Sequence, residues 1–300
     1  LIRKYFNTVE SSLKIKEEDI QSAFGILMLN LLNAFNDCTV LKYLDTHKSY
    51  CINGKFRPDC CFVYKNININ ILKEHKCLQD FVVCTGEFKK SNVTSETSIG
   101  QILHYLHLLS DIQNRKKMYG FLVSCKQITF YYVEKEYASN SYKYYQSQDL
   151  DLFNNYSETS SSADTMITNE EWKKIYLNQV TWKIFTNFLT MNDNFYEYTV
   201  LNIDPSIDLL YDRYNIRKKL GNGLTSMVYL LVKNENNSLN DDIKQCVMKI
   251  SKSSLYTEYF LNEVTITNEL KQLNSDKLNL FFQDILHYPP EGNICLLTFP

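Results

Sequence analysis

Ile20, Phe24, Leu27 and Leu31 recur at three- and four-residue spacing, which predicts a helix with one apolar face. Short apolar runs around Phe62 and over residues 81–89 predict strands, and residues 99–109 return to helical spacing. Residues 120–123 and 128–133 then alternate about a turn at Cys125, Lys126 and Gln127, the pattern of a hairpin. The order helix, strands, helix, strands predicts an α/β or α+β domain built on a mixed central sheet. Between Tyr156 and Asp164 the side chains are small and polar without periodicity, so a flexible connection is expected there, closing a first domain at 1–155. Residues 169–191 look helical, with Trp172, Ile175, Tyr176, Trp182, Phe185 and Leu189 apolar, and are expected to form a bridging helix or pair within 156–205. In a second domain, 206–300, strands are predicted at 216–220, 228–232 and 246–250, a helix from about Tyr256 to Leu273, and a strand at 295–299.

An apolar content of 44% is enough for packed cores. The longest apolar run, residues 23–35, is broken by Asn30 and Asn33 and falls short of the roughly 18 residues a membrane crossing needs, so no membrane partner is expected. The chain starts at Leu1 and reads as an excerpt of something longer. Its nine cysteines are odd in number and form no C-x-x-C pair, which points to reduced structural thiols in an intracellular compartment. Residues 1–150 carry 19 Lys+Arg against 15 Asp+Glu while the remainder is acidic, a balance that permits a nucleic-acid partner for the first half without demanding one.

Candidate chemistry in the first domain begins at Arg57-Pro58-Asp59, which opens one apolar strand, and continues at Gly86-Glu87-Phe88-Lys89, which closes another. Residues two apart on a strand point the same way, so Glu87 and Lys89 share a face with Val83 and Thr85. Charges gathered on an apolar sheet are costly unless they pair with one another or hold a cation. Two carboxylates that hold a hard cation such as Mg²⁺, with a lysine to assist the attacking water and steady phosphoryl charge, are what phosphodiester cleavage requires. Gln101 and Tyr105 fall four apart on the following helix, on one face. A surface ion pair is the plain alternative for Glu87 and Lys89 taken alone. His104 and His107, three apart on that helix, read as packing or surface, and Arg115, Lys116 and Lys117 as a solvated turn.

This set resembles the PD-(D/E)xK, or restriction-endonuclease-like, nucleases. The resemblance implies Asp59 and Glu87 as metal ligands, Lys89 as the catalytic lysine, Gln101 with Tyr105 in support, and DNA as partner. Glu17, placed with Ile20 and Phe24, would be an extra acid from the first helix.

In the second domain, residues 220–228 run Leu-Gly-Asn-Gly-Leu-Thr-Ser-Met-Val, fitting G-x-G-x-x-G-x-V except that Ser226 replaces the third glycine. Val247-Met248-Lys249-Ile250 follows in the form of a strand lysine, and Glu263 lies on the next helix. Together they resemble the amino-terminal lobe of a eukaryotic-type protein kinase over residues 211–300. That implies ATP binding by Gly221, Gly223, Val228 and Lys249, with Glu263, or alternatively Glu269, paired to the lysine, and a protein substrate for the complete enzyme. Neither H-R-D nor D-F-G occurs, so these residues alone are not expected to phosphorylate anything.

A nuclease-like domain followed by a kinase-like one resembles Crinkler-type effectors and their fungal relatives, which implies action on DNA and on protein hydroxyls inside a nucleus or cytoplasm. The rival expectation is an interaction protein that keeps the nuclease-like fold as an inactive scaffold.

Overall fold

α1 (Glu17–Ala34) forms because its apolar positions fall on one face, burying Ile20, Phe24, Leu27, Met28 and Leu31. Glu17, Glu18 and Asp19 in the first turn suit the positive end of the helix, and Lys16 N–H donates to Asp19 Oδ2 at 2.9 Å. The structure, a computed structural model, describes residues 2, 5, 16–65, 67, 69, 78–90, 95–136, 139, 141–154, 176–198, 213–236, 243–272, 285–287 and 294–297.

After α1 come β1 (Leu41–Asp45), β2 (Cys60–Tyr64), β3 (Cys84–Phe88), α2 (Glu96–Gln113), β4 (Lys117–Val123), β5 (Gln127–Glu136), β6 (Ser141–Gln146) and β7 (Leu150–Asp151). The strands make one seven-stranded mixed sheet in the order β1-β2-β3-β4-β5-β6, with β7 also on β5. Only the β3–β4 pairing is parallel among these, and α2 is the crossover that a parallel neighbour requires. β2 and β3 are buried along their whole length. The chain is thus mixed α/β, with helices on the faces of a mixed sheet.

Neighbouring residues of β4 show which helix covers which face. A Cβ at Gly120 would meet Leu106 and Ile102 of α2 at 2.9 and 3.2 Å, whereas Phe121 packs against Phe24 of α1 and Phe185. Phe185 belongs to α3 (Gln179–Leu189), which follows the short β8 (Phe153–Asn154) and β9 (Tyr176–Leu177) pair and precedes α4 (Asp193–Tyr196). Of the segment expected to be helical, Tyr176 and Leu177 are strand instead; residues 169–175 and the connection at 156–164 lie outside the described residues.

The expected solvated turn at Arg115 is corrected. Arg115 is fully buried and donates to the carbonyls of Val82 and Val83 at 3.2 and 3.0 Å, to Gln113 Oε1, and to the Tyr196 carbonyl. The chain entering β3 leaves carbonyls without strand partners, and a guanidinium with five donors satisfies several at once. β1 and β6 had no counterpart in the pattern reading, because β1 is only five residues long and β6 is mostly exposed, with little alternation to detect.

A second, five-stranded antiparallel sheet is formed by β10 (Tyr214–Asn222), β11 (Ser226–Lys233), β12 (Gln245–Ser251), β13 (Ile285–His287) and β14 (Ile294–Leu297), in the order β10-β11-β12-β14-β13. α5 (Thr257–Gln272) lies between β12 and β13 in sequence. The two sheets touch: Phe81 packs on Tyr229 with ring centroids 5.2 Å apart, and Ile69 bridges to Ile216. Among the described residues no helix is long and apolar enough to cross a membrane.

Candidate functional site

Asp59 stands immediately before β2, and its backbone is held on both sides. Its carbonyl accepts from Thr46 N–H at 3.0 Å and from Gln21 Nε2 at 3.3 Å, while Thr46 Oγ1 donates to the Pro58 carbonyl at 2.6 Å. Proline at 58 narrows the backbone conformations open to the turn into the strand. The Asp59 side chain then accepts from Phe88 N–H at 2.7 Å, while Asp59 N–H donates to Glu87 Oε1 at 3.1 Å. Two adjacent antiparallel strands therefore exchange carboxylates across the place where their ladder ends.

Glu87 lies inside β3 and is 1% exposed, deeper than any ion pair at a surface. Lys89, just past the strand end, reaches back to Glu87 Oε2 at 3.2 Å and across to Gln101 Oε1 at 3.1 Å; Gln101 Nε2 in turn donates to Tyr105 OH at 3.0 Å. The structure thus brings Asp59, Glu87, Lys89, Gln101 and Tyr105 into one connected group. Glu17 is half-exposed in the first turn of α1 and not buried beside Ile20 and Phe24, yet its Oε1 lies 3.6 Å from Lys89 Nζ, which brings this acid to the edge of the group.

Burial pushes the Glu87 carboxyl up to about 8, and the neighbouring Asp59 charge adds to this; Lys89 opposes them without cancelling them. Asp59 is also raised, chiefly by burial, despite the hydrogen bond from Phe88 N–H and the nearby Lys89 charge. Lys89 is raised because Glu87, Glu17 and Asp59 favour its charged form against the cost of burial. The group is short of positive charge for two ionised carboxylates, and a divalent cation would supply it. Among the described residues no three His, Cys, Asp or Glu side chains form a metal cage of their own. Asp59 and Glu87 are the two carboxylates of the group that would hold such an ion, as hard oxygen ligands suit Mg²⁺. His104 and His107 stay out of this group: His104 packs edge-on to Phe56, and His107 contacts Tyr142, Tyr144 and Asp111.

In the second sheet, Gly221 faces Val228 and Val228 faces Lys249 in register, so Val228 and Lys249 share one face. Gly223 N–H donates to the Ser226 carbonyl at 2.9 Å, closing the hairpin. A Cβ at Gly221 would meet nothing nearer than 3.9 Å, so packing does not demand glycine there. Lys249 Nζ pairs with Glu263 of α5 and sits 5.1 Å over the Phe260 ring. Glu269, two turns further along α5, makes no ion pair among those found for the described residues. Cys295 lies in β14, in register with Lys249.

Pattern reading missed two groups. Gln21 is buried in α1 and ties Asp59 O to Asp45 Oδ1; its only signal was a polar residue between apolar helix positions. Asp80, fully buried, accepts from Lys219 Nζ at 3.0 and 2.9 Å and from Tyr229 OH at 3.1 Å. A lone acid at the head of the apolar run 81–83 was the one hint of it. No family model matches the chain, and no curated protein matches it either.

Proposed function

We propose that the chain is a Mg²⁺-dependent nuclease of the PD-(D/E)xK kind, acting on DNA, joined to an ATP-binding lobe like that of a protein kinase. The observation that carries the first half is the buried Glu87 carboxylate held between Asp59 and Lys89, with Lys89 linked onward to Gln101. A surface ion pair needs neither the burial nor the second acid. Asp59 at the entry to β2, Glu87 in β3, then Gln101 and Tyr105 on α2 follow the order the resemblance implies.

Asp59 and Glu87 would hold the ion, which when bound polarises the phosphate and acidifies its own water. The chain's own groups do the rest. Lys89, 3.2 Å from Glu87, stabilises charge on the phosphoryl oxygens and assists the attacking water. Gln101 fixes the direction of the Lys89 ammonium and is itself steadied by Tyr105. Glu87 must lose its proton before it can ligate, so activity rises with pH as the carboxyl ionises.

Support for the second half is the Lys249–Glu263 pair on the face shared with Val228, beneath a glycine hairpin whose glycines packing does not require. Lys249 would meet the α/β-phosphates of ATP, and phosphorylation of protein hydroxyls would belong to a complete kinase. One observation favours the scaffold reading: Glu87 already has a partner on each oxygen, Asp59 N–H and Lys89.

A plasmid-nicking assay on the full chain decides between them. Mg²⁺-dependent nicking is expected, with Lys89→Ala reducing it by roughly a hundredfold or more, the usual scale for losing one transition-state charge contact. Equal nicking by Lys89→Ala would place the activity elsewhere, and no nicking with no Mg²⁺-induced rise in Tm would favour the scaffold.

A further inference from the structure

The second sheet has two chemically distinct faces. Val228 and Lys249 are cross-strand partners and point to the face where Glu263 of α5 meets the lysine. Tyr229, next along β11, points to the opposite face, together with its cross-strand partners Lys219 and Met248. That rear face is closed: Met227, Tyr229 and Leu231 are 4%, 0% and 3% exposed. What Tyr229 and Lys219 meet there is the first core, through the Phe81 ring and the Asp80 carboxylate.

The contact is placed where it can act on both candidate sites. Lys219 precedes Gly221 by two residues, and β10 slips register between them, so the glycine hairpin leaves the sheet directly from the latched lysine. Lys252, on the far side of the hairpin, donates to the Gly223 carbonyl and adds its charge to the field at Asp80. On the other side, Asp80 begins the run through Phe81, Val82 and Val83 into β3, which ends at Glu87 and Phe88. Arg115 holds the carbonyls of Val82 and Val83, and Tyr198 OH donates to the Asp80 carbonyl, so this run has little slack. Lys219 and the end of β3, where Phe88 N–H binds Asp59, are therefore joined by one clamped stretch of backbone.

We propose that an adenine nucleotide bound on the Lys249 face regulates the Asp59–Glu87–Lys89 site, with the Asp80–Lys219 pair as the link between them. The inference rests on the two-site reading above and adds the coupling. By linkage the effect is reciprocal: whatever nucleotide does to the carboxylate site, occupation of that site does to nucleotide affinity.

Hydrogen exchange of the full chain, with and without a non-hydrolysable ATP analogue at one fixed free Mg²⁺ concentration, tests this. Exchange at the Gly86, Glu87 and Phe88 amides is expected to slow by roughly fivefold or more on adding nucleotide, the lower end of ordinary coupling. The double variant Asp80→Asn/Lys219→Gln, which removes both charges together, is expected to lose that response while still binding nucleotide. Tyr229→Phe, which deletes one hydrogen bond and leaves the ring, provides a milder weakening should the double variant fold poorly. Nucleotide binding with unchanged exchange at 86–88, or an undiminished response in Tyr229→Phe and the double variant, overturns the link. Glu87→Gln separates the readings: it abolishes nicking if Glu87 is a ligand, yet keeps the nucleotide response. Wild type that binds no nucleotide removes the coupling together with the kinase-like reading.

Discussion

At the scale of single residues the most consequential feature is a carboxyl group that prefers its proton. An ordinary glutamate titrates near 4.3, whereas Glu87 in the folded chain is held up to about 8 by burial and by Asp59. Because the folded-state value is raised, the stability Glu87 contributes is fully present below its ordinary value and is lost as pH rises through about 8. In the metal-free chain, urea unfolding at a series of pH values is expected to show stability falling across that window by a few kcal/mol, of order. Glu87→Gln should flatten the slope, and an unchanged slope in that variant would assign it to another group. Added Mg²⁺ should weaken the same slope, since the ion competes with the proton and its affinity rises by up to about tenfold per pH unit below the Glu87 value. Strand and helix periodicity put Glu87 with Lys89, and Gln101 with Tyr105, on shared faces before any coordinates are known, whereas Asp59 joined them only through the resemblance of the Pro-Asp motif. Arg115 was not: beside Lys116 and Lys117 it looks like any basic turn, and the carbonyls that justify its burial come from residues 82, 83 and 196, remote in sequence.

At the scale of elements, β3 is where packing and chemistry compete. Its middle residue, Gly86, has the ring of Phe121 where a side chain would go, with an added Cβ 2.4 Å from the ring and 2.9 Å from Cys60 Sγ. Phe121 cannot move aside freely, since it is fully buried among Phe24, Phe62 and Phe185. Gly86→Ala is therefore expected to cost about 1–3 kcal/mol in chemical unfolding, the range for overpacking a close-packed core. It should also lower Mg²⁺ affinity by displacing Glu87; a variant of wild-type stability would mean β3 has more room than this geometry gives it. The run 81–89 announced this strand by its apolar character, whereas the short β1 and the exposed β6 left no comparable trace. In β6, Tyr145 stacks on Tyr132 of β5 and Lys143 pairs with Glu136, but these contacts lie on an exposed strand and leave no inward alternation from which to infer the pairing.

At the scale of the whole molecule, the two sheets are expected to behave as one folding unit. Asp80 is fully buried and its partners lie in β10 and β11, so separating the sheets strands a carboxylate or exposes Tyr229. Residues 206–300 produced alone should give no sharp thermal transition, whereas the full chain should; a cooperative melt from the isolated segment would show that the rear face is stable without the first core. Sequence patterns indicated two domains and most of their strands, but not this contact, because a buried acid and a lysine 139 positions apart leave no periodic signature.

The parallel pairing of β3 with β4 has a consequence for how such a molecule comes into being. Antiparallel partners such as β4 and β5 can zip together across a tight turn, but β4 reaches its place beside β3 only after the chain has looped through all of α2. Closing that loop is entropically slow, and Gln101 arrives at Lys89 only once it is done. A nascent or half-collapsed copy consequently lacks the complete grouping of Asp59, Glu87, Lys89 and Gln101 until its topology is finished.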